Sequence, residues 1–247
     1  MRIFLVRHGQ SEANVDWSQN TLRADAAIPL TQEGHAQARQ CGQFLAHYFK
    51  HELGLRVVDG AYEQRPKIRL WHSPYARAIQ TAERIAEECV LDVDPVGDSW
   101  FTAGVREHFL LREQEHGVYD GMSDAEREAA YPAEWAYYQK HKKEGFKVLA
   151  QLPLGESRIQ VATRVHQAFG TFHRDADKHG IDTLVIVAHG TTNRCFTFAW
   201  LHESLAWLEQ EPNPNNCSVR LIEDSEDRGY IFAGFDHHDG YTHTGEA

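Results

Sequence analysis

Two aliphatic runs, Ile3-Phe4-Leu5-Val6 and Leu184-Val185-Ile186-Val187, each lead through one further residue into His-Gly. Both are short for a helix and lack polar alternation, so they read as strands covered on both faces. Strands of that kind alternating with helical stretches predict an α/β fold: a three-layer sandwich with a mostly parallel central sheet flanked by helices. The strands are expected near residues 2–6, 67–71, 184–188, 218–223 and 230–234, with a short one near 91–95. Because Arg7-His8-Gly9 and His189-Gly190 both fall just past strand ends, they can meet in the crevice where open α/β sheets bind ligands.

The helices carry their own punctuation. Thr31 is placed to begin one with Ala38, Cys41, Leu45 and Tyr48 on one face. Ser73 as N-cap and Pro74 at the first helical position would begin another, with Ala78, Ala82, Ile85 and Cys89 inward, leaving Arg77 near its positive end. Ser157-Arg158-Ile159-Gln160 has the form of a capping box and opens a third helix whose Val161, Val165, Phe169 and Phe172 face the core. Pro212-Asn213-Pro214-Asn215-Asn216 reads as a loop before the last strands.

The first His-Gly turn carries chemistry. A neutral imidazole can attack phosphorus, while the neighbouring arginine stays charged and offers paired planar donors to phosphate oxygens. Gly9 lets the backbone turn where a side chain would block a ligand.

Arg7-His8-Gly9 with Ser11 and Asn14 resembles the signature of the histidine phosphatases, the superfamily that includes cofactor-dependent phosphoglycerate mutases. Three further segments follow in family order. Ser73 to Glu83 is similar to the segment whose arginine, here Arg77, reaches the phosphate. Leu111 to Gly117 resembles the segment supplying the proton donor, with Glu113 four residues before Gly117. Val187-Ala188-His189-Gly190 resembles the one supplying the second active-site histidine. The resemblance implies His8, Glu113 and His189 as catalytic residues and Arg7, Arg77, Asn14 and Gly190 as phosphate-binding ones. His8 would attack phosphorus and carry it, and Glu113 would protonate the departing oxygen and then activate water. Arg7, Arg77 and a protonated His189 would spread positive charge over the transferring group, with no metal and no cofactor. Glu107, Glu115 and Glu126 lie near enough in sequence to compete for the acid role.

The resemblance implies a phosphatase acting on a small phosphorylated metabolite. Gln114 follows Glu113 where phosphoglycerate mutases carry arginine, which weighs against mutase-type transfer. A mutase or a non-catalytic phospho-ligand-binding protein are the alternatives. Arg23, Arg106, Arg112 and Arg194 are possible partners for a further substrate anion.

Composition narrows the rest. A chain of 247 residues can bury a sizeable core and is expected to form a single domain over 1–247, with a substrate-covering insertion near 98–156. That insertion carries Trp135, Tyr137, Tyr138 and the basic run His141-Lys142-Lys143, read as a solvated face. A net charge of -11 argues against nucleic acid, whose binding rests on cations. No 18-residue apolar stretch or signal peptide is evident, so no membrane association and a cytoplasmic location are expected. Cys41, Cys89, Cys195 and Cys217 lack CxxC spacing and suit reduced core thiols. The histidine-rich tail from Asp236 to His243 reads as a mobile polar end.

Overall fold

The structure is a computed structural model that describes residues 1–53, 56–58, 61–64, 66–90 and 99–236. The strand expected near 91–95 and the tail beyond Asp236 lie outside the described residues. In chain order the strands are β1 (Arg2–Arg7), β2 (Arg56–Val58), β3 (Ala61–Gln64), β4 (Ile68–His72), β5 (Val105–Glu107), β6 (Thr183–Ala188), β7 (Val219–Glu223) and β8 (Glu226–Phe232). The helices are α1 (Glu12–Val15), α2 (Gln19–Leu22), α3 (Gln32–Glu52), α4 (Ala76–Glu88), α5 (Asp124–Ala130), α6 (Pro132–Lys143), α7 (Arg158–His179), α8 (Gly190–Leu201) and α9 (Leu205–Gln210).

Six strands form one sheet in the order β5-β4-β6-β1-β7-β8. The first four run parallel and β7 and β8 run antiparallel at one side, so the sheet is mostly parallel as the sequence predicts. β2 and β3 pair separately as an unanticipated antiparallel ribbon. β5 was equally invisible in the sequence, because its three residues are all exposed and carry no apolar run.

Why the central strands are apolar throughout is plain from their two faces. Ile3, Leu5, Trp71, Leu184 and Ile186 face α7 and α8, meeting Val161, Val165, Phe172 and Phe196. Phe4, Val6, Ile68, Leu70, Val185 and Val187 face α3 and α4, meeting Ala38, Leu45, Phe49, Ala82 and Ile85. Each such fully buried side chain stabilises the fold by about 1.5–3 kcal/mol relative to exposure, and a polar residue in these strands needs a buried partner, as Arg69 has in Asp175. On α3 the inward position of the last turn is Phe49, with Tyr48 only partly covered, a shift of one residue from the predicted stripe.

The caps explain where the helices begin. Thr31 Oγ1 accepts from Gly34 N at 2.9 Å to start α3, and Ser157 with Gln160 forms the predicted capping box of α7. α4 corrects the prediction. It starts at Ala76 with Tyr75 as its N-cap, so Ser73 and Pro74 precede it. Arg77 nevertheless stays in the first turn.

Three neighbouring parallel strands end level with one another. Arg7 pairs with Ala188 and His72 with Val187, and the ladder runs one step further as His8 N and Ser73 N donate to Ala188 O and Val187 O, each at 3.0 Å. The residues just beyond these ends are His8, Ser73 and His189.

Candidate active site

The segment after β1 leaves the sheet through a backbone crossing. A Cβ on Gly9 would lie 2.5 Å from Gly34 O, and one on Gly34 would lie 2.0 Å from Gln10 O. Only glycine at both positions lets the chain after His8 pass this close to the start of α3. Gly9 N is then held by Thr81 Oγ1 at 3.0 Å, whose own hydroxyl donates to Arg77 O at 2.7 Å. His8 and Arg77 are thereby tied together through one threonine.

His8 is 4% exposed and its Nδ1 lies 2.7 Å from Gly9 O. A carbonyl can only accept, so Nδ1 carries the proton and Nε2 presents a lone pair. The His189 ring stands 5.2 Å away, centre to centre, and is completely buried. Burial, reinforced by Arg77, His8, Arg164 and Arg7, holds the His189 imidazole well below the usual histidine range. That direction favours the neutral ring. Its Nε2 is 2.7 Å from Ser73 Oγ, and its Nδ1 is buried without a protein partner.

Arg77 is fixed by Asp25, with Nη1 2.7 Å from the Asp25 carbonyl oxygen and 2.8 Å from Oδ1, and its guanidinium packs over Tyr75. Arg7 Nη1 donates to Pro214 O at 2.5 Å. Asn14 Oδ1 accepts from Ser11 N at 3.0 Å and Ser11 Oγ at 3.1 Å, which leaves its amide nitrogen to offer the pocket.

Glu113 sits across the pocket at the start of α8. Its Oε1 accepts from Gln114 N at 2.9 Å and from Thr192 N at 3.2 Å, and its Oε2 accepts from Thr191 N at 3.2 Å, while the Thr192 hydroxyl donates to Arg112 O at 2.7 Å. The loop that carries it is clamped by buried Arg164, which donates to Leu110 O and Glu113 O and pairs with Glu156. Gly190, the first residue of α8, has the Asn213 side chain against it: a Cβ there would lie 2.1 Å from Asn213 Oδ1.

These groups converge on one cavity of about 330 Å³, whose lining includes Arg7, His8, Asn14, Arg77, Glu113 and Thr191. His189 is not among the lining residues. The rival acids are elsewhere: Glu115 pairs with Arg112, Glu126 closes the capping box of α5, and Glu107 is exposed on β5. Of the arginines offered for a further anion, Arg23 pairs with Glu12, Arg106 with Asp175, and Arg112 with Glu115 and Glu156. Arg194 alone of the four lines the cavity. The basic run is not simply a solvated face either, since Lys142 lines the rim.

Asp25, Ser73 and the Pro212–Asn216 loop are the site residues that sequence reasoning assigned no role in the site. Asn216 Nδ2 donates to His8 O at 3.0 Å, and Cys217 N donates to Arg7 O at 3.1 Å, so this loop braces the strand end that carries His8. Its Pro and Asn content signalled a turn but not what the turn supports. Among the described residues no group of three or more His, Cys, Asp or Glu side chains is placed to hold a metal ion. No helix among them is long and apolar enough to cross a membrane.

Residues 3–234 match the model of the histidine phosphatase superfamily, branch 1. The chain belongs to that superfamily. Two relatives show its range. A phosphoglycerate mutase-like protein of Arabidopsis thaliana is 30% identical over 94% of this chain and 77% of its own length. A broad-specificity phosphatase of Saccharomyces cerevisiae is 24% identical over 90% of this chain and 79% of its own. Among solved structures, a mycobacterial glucosyl-3-phosphoglycerate phosphatase superposes with a TM-score of 0.62 at 22% identity, covering 95% of this chain and 98% of that one. That likeness shows the histidine phosphatase fold across nearly the whole chain.

Proposed function

We propose that this histidine phosphatase superfamily member hydrolyses the phosphomonoester of a small metabolite through a phosphohistidine on His8, without metal or cofactor. The observation that carries the reading is the His8 imidazole, fixed by Gly9 O as the tautomer that carries no proton on Nε2, in a cavity that also presents Arg7, Arg77 and Glu113. His8 Nε2 forms a bond to phosphorus as the ester P–O bond breaks, and the leaving oxygen takes a proton from Glu113. Water then gives its proton to Glu113 as its oxygen bonds phosphorus and the P–N bond breaks. Arg7 and Arg77 hold the phosphoryl oxygens, positioned by Pro214 and Asp25. If the Ser73 hydroxyl donates to His189 Nε2, the neutral ring carries its proton on Nδ1 and has one hydrogen bond to give a phosphoryl oxygen. Bound phosphate, as a dianion beside it, draws that ring toward the charged form.

Hydrolysis is favoured over mutase transfer by Gln114. It lines the cavity where mutases carry arginine, and its amide donates to Glu156 O at 2.7 Å instead of to a substrate. The segment near 98–156 is read as the substrate-covering element, since Tyr119, Tyr138 and Leu152 line the cavity. Four buried free cysteines suit a reducing, cytoplasmic setting.

The test is to quench turnover of a labelled phosphate ester and characterise the protein-bound phosphate. It is expected to be acid-labile and alkali-stable, as a phosphoramidate is, and to vanish in His8→Ala along with activity. A label that persists in His8→Ala overturns the proposal. Dialysis against chelator is expected to leave the rate unchanged, because the arginines supply the charge that metal ions give other phosphatases.

A further inference from the structure

The transferring phosphate, held by Arg7 and Arg77, accounts for only part of the cavity. Lys142 from the last turn of α6, Lys147 just beyond α6, Arg158 at the start of α7 and Arg194 of α8 line the same space. No carboxylate among the described residues makes an ion pair with any of the four. Arg194, 8% exposed, is held only by neutral oxygens: Gly190 O, Glu211 O and Thr191 Oγ1.

Elsewhere the protein does the opposite. Buried Arg69 pairs with Asp175, Arg164 with Glu156, and Arg220 with Glu211 and Asp227. Acids are not scarce, with 36 Asp and Glu against 25 Lys and Arg. The acids that do line the cavity are engaged or clustered apart: Asp25 pairs with Arg77, Asp124 with Arg127, and Asp120 stands near Asp25, its carboxyl held above the usual range by burial and by that neighbour. Burial, Arg158 and Lys142 push the Lys147 ammonium down to about 8, with Glu209 only partly opposing them. Glu113 and Glu209 offset the charge of Arg194 and Lys147 without pairing with them, so these cations are held at a free-energy cost that an anion in direct contact lowers on binding.

We propose that Lys142, Lys147, Arg158 and Arg194 form a second anion subsite, so that the preferred substrate is a phosphomonoester bearing a further carboxylate or phosphate away from the scissile ester. This rests on the phosphatase reading for its substrate, but not for the binding of the second anion. The two headgroups share the chemistry that these cations recognise, and a substrate series separates them.

The experiment compares straight-chain alkyl phosphates of two to six carbons with the ω-carboxyalkyl phosphates and diol bisphosphates of equal length. At the best length kcat/KM is expected to favour one of the dianionic-ended series by about tenfold or more, the range of a charge-assisted contact. Lys147→Met and Arg158→Met are expected to bring that ratio towards one, and Lys147→Arg to restore it. Urea midpoints confirm that the variants fold. A ratio near one in the wild-type protein at every length overturns the subsite while leaving the phosphatase reading standing. So does a loss in Lys147→Met and Arg158→Met that is equal for alkyl and dianionic-ended esters, since that is structural damage. Calorimetry with His8→Ala and the same ligands separates the other failure: tighter binding of the dianionic-ended esters with no turnover in the wild-type protein sinks the phosphatase reading and keeps the subsite.

Discussion

Glu113 is held by three backbone N–H donors, yet in the proposed scheme it must release and regain a proton in each turnover. Glu113→Gln keeps one acceptor oxygen, for either Thr191 N or Thr192 N, and has no acidic proton to give. An acid matters most when the leaving oxygen is basic, so alkyl phosphate hydrolysis is expected to fall about 10²- to 10⁴-fold, and p-nitrophenyl phosphate hydrolysis far less. Equal losses on the two substrates would instead assign Glu113 to holding the start of α8. The groups that make bonds in this scheme were legible because each lies in a short run next to a strand end or helix start. Their supports were not. Asp25 meets Arg77 across 52 residues, Ser73 meets His189 across 116, and Asn216 meets His8 across 208, and no local pattern marks a contact that only the closed fold creates. The charge state of His189 was hidden for the same reason, because its burial belongs to the assembled sheet and helices.

At the level of elements, the fold places His8 by pressing the turn after β1 against the start of α3. Gly34→Ala would put a methyl group 2.0 Å from Gln10 O, and a backbone carbonyl cannot swing aside as a side chain can. Stability is expected to fall by about 3 kcal/mol, the upper part of the range for overpacking, and activity with it, since Gln10 is two residues from His8. Urea unfolding checks the first and turnover under native conditions the second; an unchanged midpoint would mean that the crossing is slack. The central strands and the three long helices were readable because burial on two faces, or on one stripe, writes a strong period into the sequence. α5 and α6 were not, since Trp135 is the one buried residue of the pair, and so the basic end of α6 read as solvent-facing when it reaches the cavity rim.

For the molecule as a whole, burying a neutral histidine links folding to pH. The His189 imidazole titrates well below 6.5 when folded, so as pH falls through about 6.5 the unfolded chain takes up the proton first and stability drops. That group alone is expected to remove about 1.4 kcal/mol per pH unit until its folded pKa is reached. His35 and His108, lowered chiefly by burial, act in the same direction. Inorganic phosphate in the pocket is expected to flatten the slope, because an anion beside His189 brings its folded value back up. Urea midpoints between pH 5 and 7, with and without phosphate, measure both effects, and a flat profile without phosphate would show His189 already charged in the folded protein. The two histidines also inherit a ruler. β1 and β6 are hydrogen-bonded neighbours in register, and strands so paired lie about 4.8 Å apart, close to the 5.2 Å between the rings of His8 and His189. The spacing of the two rings is thus about one strand step of the sheet, fixed by the same amide ladder that holds the core. Change in the proposed covering segment would re-aim the protein at new esters while that step stays the same length.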